Sequence, residues 1–188
     1  MAKYDLIGLG NALVDSEFHV TDSFLKKNGF EKGTMHLVNS DEQTDLLNSL
    51  EKEYGKPSLA CGGSATNTIF AASILGSSCS YICKVGNDKN GNFYLNDLSD
   101  AGVNIDHSIK LDSEIGSGTC TVMVSPDAER TMSTCLGISS DLSASDVAEE
   151  IFSDSKLIYL EGYMMSGDDS YNACLEAIKL AKENNVEI

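Results

Sequence analysis

Cys61-Gly62-Gly63-Ser64-Ala65-Thr66-Asn67 places two adjacent glycines directly ahead of a helical-looking run, residues 68–76. Lacking a Cβ, such glycines let the backbone turn and approach a ligand closely. Ser64 is the expected N-cap of the helix. Asn67 then falls in the first turn, where its amide faces the same space as the glycine backbone. One side chain and several N–H groups would converge there, an arrangement suited to the neighbouring hydroxyls of a ribose or a polyol. The alternative is a plain glycine turn before a core helix, a common feature of α/β proteins.

Asp15 follows the apolar run of residues 4–10 and the segment Asn11-Ala12-Leu13-Val14. It is either a turn carboxylate or a hydroxyl acceptor at the carboxyl end of the first strand, where ligands of parallel sheets gather. Arg130 is the only arginine in the chain. Its planar fork suits a phosphate or carboxylate, and its bland alternative is a solvated hairpin charge. His19, His36 and His107 are scattered and lack companions for a metal site or a catalytic triad. Gly8-Leu9-Gly10-Asn11-Ala12-Leu13 fails as a dinucleotide fingerprint, because Leu13 takes the third glycine position and a strand is expected next. Neither a nucleophile elbow nor a P-loop is present.

The elements that must position these residues alternate. Strands are expected at residues 4–10 and 80–85, with helices at 41–54 (Ser40 as cap, Gln43 completing a partial capping box), 64–76 and 93–101. That order describes a parallel sheet with crossover helices. Residues 118–125 and 129–136 read as a hairpin across Pro126-Asp127-Ala128. With 16–20, 35–38 and 105–111 they are expected to form a small second sheet, a natural cover for a site. A short helix at 146–152, a strand at 157–160 and a helix at 170–185 follow, and Val186-Glu187-Ile188 begins another strand. A parallel sheet rarely finishes on such a stub, so a truncated sequence is expected.

A net charge of -16, from 13 basic and 29 acidic residues, argues against a nucleic-acid or anionic-membrane surface. It leaves a locally bound nucleotide open. The six cysteines show no CxxC pair and several lie in apolar runs, so they read as buried hydrophobes in a reducing cytoplasm. No apolar run approaches the ~20 residues that span a bilayer.

Together these residues resemble the ribokinase-like (PfkB) family of carbohydrate and nucleoside kinases. The match is carried by Gly8-x-Gly10-Asn11-Ala12-Leu13-Val14-Asp15, Gly62-Gly63-Ser64-Ala65-Thr66-Asn67, Gly76, Gly86-x-Asp88-x-x-Gly91, Ala101-Gly102-Val103 and Gly118-Thr119-Cys120. Ile69 departs from the small residue usual in the family signature. The resemblance implies an α/β fold with a central parallel sheet, flanking helices and a small β-sheet lid from residues of about 14–40 and 104–136. The chain would be the N-terminal portion of such a kinase, ending before the C-terminal ATP-binding part. Adenosine kinase-like members look nearest.

By that resemblance Asp15 holds ribose hydroxyls, with Asn11, Gly62, Gly63 and Asn67 placing the sugar. Leu13, Cys120, Leu136 and Tyr163 form an apolar wall against a base, and Arg130 approaches the transferring phosphate. Met35 stands where some adenosine kinases have a polar base-contacting residue. ATP and Mg²⁺ are the implied cofactors of the complete enzyme. The Gly-Ala-Gly-Asp motif with the base, the Asn-x-x-Glu magnesium motif and most of the ATP pocket would lie beyond residue 188, so this chain alone should bind acceptor without turning over. Alternatives are a sugar kinase acting on ribose, fructose or a keto-deoxy acid, and a non-catalytic nucleoside- or sugar-binding module. The protein would be a monomer or a homodimer joined through the lid.

Overall fold

In the computed structural model, which describes residues 2–188, the apolar runs sort into a parallel sheet flanked by helices and a second sheet standing beside it. In chain order the elements are β1 (Tyr4–Leu9), β2 (Leu13–His19), α1 (Asp22–Lys27), β3 (Met35–Leu37), α2 (Ser40–Tyr54), β4 (Ser58–Gly62), α3 (Ser64–Ile74), β5 (Cys79–Ile82), β6 (Lys84–Gly86), α4 (Lys89–Asp100), β7 (Ile109–Leu111), β8 (Gly118–Val124), β9 (Arg130–Cys135), α5 (Glu150–Ser153), β10 (Ser155–Leu160) and α6 (Asp168–Glu183). Short 3-10 turns lie at Gly137–Asp141, Ala144–Asp146 and Gly162–Ser166.

The central sheet has the order β10-β1-β5, all parallel. Its middle strand is apolar on both faces, as a strand covered by helices on both sides must be. Ile7 and Leu9 pack with Ile158 and with Ala173, Cys174 and Ala177 of α6. Leu6 packs on the other side, with Ile69 of α3 and Tyr94 and Leu98 of α4. Each fully buried side chain of this size contributes about 1.5–3 kcal/mol. Glu187 forms a parallel bridge with Leu157, so the expected strand after α6 lies against β10.

The second sheet has the order β3-β9-β8-β2-β4. The β8–β9 hairpin is antiparallel, while β2 and β8 run parallel from Leu13↔Gly118 to His19↔Val124. Alternation along β2 sends Phe18 to the outer face, where α1 and α2 cover it with Phe24, Leu25 and Leu50. The opposite face, carrying Leu13 and Asp15, is left to line a cleft.

Several local expectations are corrected. The cap of α2 is Asn39, whose side chain accepts from Glu42 N–H while Glu42 accepts from Asn39 N–H, so the box is Asn39/Glu42 and not Ser40/Gln43. Gln43 is instead buried, donating to Thr121 Oγ1 at 3.1 Å and accepting from Ser133 Oγ at 3.1 Å. Gly63, not Ser64, is the N-cap of α3. Ile109–Leu111 pairs with β6 and is no part of the second sheet. The strand expected over 80–85 is broken at Cys83 into β5 and β6, and α4 starts earlier than expected, capped by Asp88. The helix expected over 146–152 shortens to α5. Two elements, α1 and β4, were not expected at all.

Candidate functional site

The cleft between the two sheets has a volume of about 860 Å³. Asn11, Leu13, Asp15, Gly63, Asn67, Cys120, Arg130, Leu136 and Tyr163 all line it. Chain crossings between the sheets bring them together. β1 delivers Asn11 at its carboxyl end, β2 carries Leu13 and Asp15 away from it, and β4 leads through Gly62 and Gly63 into α3 with Asn67 in the first turn. Gly62 stands apart from the cleft wall and packs behind Asp15.

The turn into α3 requires glycine at 63. Its φ is +103°, and a Cβ there would meet Asn11 O at 2.6 Å. The first intrahelical bond runs from Asn67 N–H to Gly63 O at 3.0 Å, so the preceding amides belong to the unpaired first turn. Such amides and the helix dipole favour oxygen acceptors, and the Ala65 N–H among them already donates to the Glu161 carboxylate at 2.8 Å. Beneath the floor, Thr66 is fully buried and its hydroxyl bonds the phenols of Tyr81 at 3.0 Å and Tyr94 at 2.5 Å.

Burial pushes the Asp15 carboxyl up to about 6, with the Arg130 guanidinium pulling it down and Glu17 adding to the rise. Asp15 sits opposite Cys120 in the β2–β8 register. Burial likewise pushes the Cys120 thiol up to about 11, so it is a thiol that fills space and not a nucleophile. The remaining wall is apolar and thioether-rich: Met35, Leu37, Met132 and Met165 join Leu13, Leu136 and Tyr163.

Glu161, directly after β10, is a cleft residue that the sequence pattern does not single out. It lines the cleft, is 4% exposed, and accepts from Asn11 N–H and Ala65 N–H. Burial raises its pKa, against the lowering by those two amides. No spacing rule could have found it, since its partners are remote in sequence.

Asn39-x-x-Glu42 has the spacing of the magnesium motif but serves as a capping box. Among the described residues no group of three or more His, Cys, Asp or Glu is placed to hold a metal ion. Nor is any helix among them long and apolar enough to cross a membrane.

Comparison with known proteins gives a consistent picture. The model of the pfkB family carbohydrate kinases matches residues 34–188. The crystal structure of adenosine kinase from Sinorhizobium meliloti superposes with a TM-score of 0.90 at 35% identity, covering 99% of this chain and 55% of that one. Guanosine-inosine kinase of Escherichia coli strain K12 is 23% identical over 97% of this chain and 43% of its own length. Ribokinase of Dictyostelium discoideum is 31% identical over 66% of this chain and 38% of its own. The chain thus spans about half the length, or less, of the relatives it matches.

Proposed function

Because this chain belongs to the pfkB family of carbohydrate kinases, we propose that its cleft holds the acceptor of an ATP-dependent phosphotransferase, and that the acceptor is a nucleoside of the adenosine type. The observation that carries this reading is that Asp15, Asn11, Asn67 and the Gly63 turn line the same cleft as a set of apolar side chains. A carboxylate accepting from two vicinal hydroxyls makes charge-assisted bonds worth about 1.5–3 kcal/mol each. The amide side chains of Asn11 and Asn67 can both donate to and accept from further hydroxyls. A free sugar needs only that hydrophilic half. The apolar side, Leu13, Met35, Leu37, Cys120, Leu136 and Tyr163, gives a flat base a surface to bury. The likeness to a Sinorhizobium meliloti adenosine kinase supports the same choice.

In phosphoryl transfer the protein's contribution is mainly positioning and charge neutralisation. The residues of this chain hold the acceptor so that its reacting hydroxyl points out of the hydroxyl-binding end. Arg130 extends into the cleft within electrostatic range of Asp15, where its guanidinium can meet the oxygens of a migrating phosphoryl group. ATP supplies that group and Mg²⁺ its charge neutralisation when bound. The five-stranded sheet acts as the lid. The protein works in the cytoplasm, as a monomer or as a dimer joined through lid edge strands bearing the exposed Leu37 and Leu59.

The test is ATP-dependent phosphorylation of adenosine, ribose and fructose by the protein expressed from its complete reading frame. Adenosine is expected to give the highest kcat/KM. Preference for ribose or fructose would shift the reading to a sugar kinase, a reading to which the ribokinase match lends weight. A folded protein that phosphorylates none of them while still binding adenosine would be a binding module.

A further inference from the structure

The first turn of α3 has no local cap. Its N-cap, Gly63, has no side chain, no acidic residue occupies the first turn, and Ser64 makes no capping bond. Orphan amides at the positive end of a helix call for an anionic acceptor. Glu161, at the end of β10, supplies it: Oε2 accepts from Ala65 N–H at 2.8 Å. The other oxygen, Oε1, accepts from Asn11 N–H at 2.7 Å. One buried carboxylate therefore joins the end of β1 to the start of α3, and both joined segments carry acceptor-binding groups.

We propose that Glu161 is a positioning residue for acceptor binding, its two oxygens setting the gap between the wall that carries Asn11 and Asp15 and the wall that carries Gly63 and Asn67. This rests on the acceptor-site reading above. Glu161 itself need not touch the acceptor, since both oxygens are engaged by backbone amides. The bonds are charge-assisted and shielded from water, the setting in which such bonds are strongest. A misplacement of one wall against the other is costly, because a bound hydroxyl has to satisfy both at once.

The chemistry separates this role from packing. Glutamine has nearly the shape of glutamate, but it keeps one acceptor and points an NH₂ at the second amide. Aspartate keeps both acceptors on a shorter stem. In the protein from the complete reading frame, Glu161→Gln is expected to raise the KM for adenosine about ten- to a hundred-fold while leaving kcat within about three-fold. Glu161→Asp should recover part of the loss. In the unmodified protein the Asn11 and Ala65 amides should exchange slowly with solvent deuterium, and in Glu161→Gln both should speed up together.

An unchanged KM in a folded Glu161→Gln protein overturns the proposal. If that variant does not fold, the unmodified protein decides: an Ala65 amide exchanging as fast as an open helix N-terminus overturns it, and a protected one supports it. Absence of any phosphorylated acceptor in the unmodified enzyme would instead reject the acceptor-site reading, while the exchange rates still report whether the tether exists.

Discussion

The carboxylate of Asp15 occupies the space that a side chain on Gly62 would take: a Cβ built there overlaps Cγ and both carboxylate oxygens. The two residues lie on neighbouring antiparallel strands, with Leu13 opposite Gly62 and Asp15 opposite Ala60. Gly62 thus contributes to the cleft by making room, although it stands apart from the cleft wall.

Gly62→Ala should displace the Asp15 carboxylate and raise the KM for the acceptor about ten- to a hundred-fold. Overpacking at such a contact should also cost about 1–3 kcal/mol of stability. Gly116→Ala is the control, since it lies outside the cleft lining and a Cβ there meets only an Asp88 oxygen, at 3.4 Å. Steady-state kinetics and urea melts on the two variants test the difference.

Acceptor affinity should depend on pH through Asp15. Its pKa of about 6 in the folded chain stands above the ordinary 3.8, so ionising it costs folded stability: its contribution is fully present below 3.8 and lost as pH rises through about 6. Binding runs the other way, because the carboxylate is the stronger hydroxyl acceptor. Adenosine affinity should therefore climb between about pH 5 and pH 7. Asp15→Asn should flatten that dependence and weaken binding about ten- to a hundred-fold, as loss of a charged hydrogen-bond partner does. Arg130→Met, which removes the pull on Asp15, should move the midpoint higher. Titration calorimetry across that range checks all three.

Lys84 should prove a structural cation. Its ammonium meets Asp146 at 2.6 Å and donates to Asp141 O at 2.8 Å, with the two paired side chains only 9% and 17% exposed. Burial pushes the Asp146 carboxyl up, but bonds from Lys84 and from Ser143 N–H and hydroxyl outweigh it and hold the pKa below its ordinary value. The stability it lends is therefore present above the ordinary carboxylate range and lost as pH falls through the lowered value. Lys84→Met, which leaves a carboxylate without its partner, should cost about 3 kcal/mol, and Lys84→Met with Asp146→Leu should recover most of it. A double-mutant cycle by urea denaturation near neutral pH, repeated in acid, measures both effects.

Thr66→Val should cost about 1–3 kcal/mol, because it removes the hydroxyl shared by the buried phenols of Tyr81 and Tyr94 while keeping the volume. Thr66→Ser, which retains the hydroxyl, should cost less. Thermal melts of the two variants distinguish the bond from the methyl contact.

The features legible in the sequence were those that local pattern determines. The apolar run of β1, the turn of the β8–β9 hairpin and the glycine pair before α3 each announce themselves within a few residues. Asp15, Asn11 and Asn67, singled out by spacing and position, line one cleft. What depends on a distant partner was not legible. β4 carries no strand signal of its own, because Ala60 and Gly62 have poor strand propensity, and it becomes a strand only by pairing with β2. Residues 109–111 announce a strand but not its neighbour, which proved to be β6. Asn39 and Ser40 are both good caps, and the choice fell to the residue whose third neighbour is a glutamate. Glu161 gave no signal, since a lone glutamate after a strand becomes meaningful only when Asn11 and Ala65 are brought to it.

The parallel pairing of β2 with β8 joins segments about a hundred residues apart, a closure whose entropy must be met before any contact in the pair repays it. During synthesis Leu13–His19 can pair with Ser58–Gly62 and cover Phe18 with α1 and α2 early, but its other edge waits open until Gly118–Val124 has left the ribosome. The second sheet is set to be the late and slow event of folding, and its waiting first strand is the place where a chaperone would be needed most.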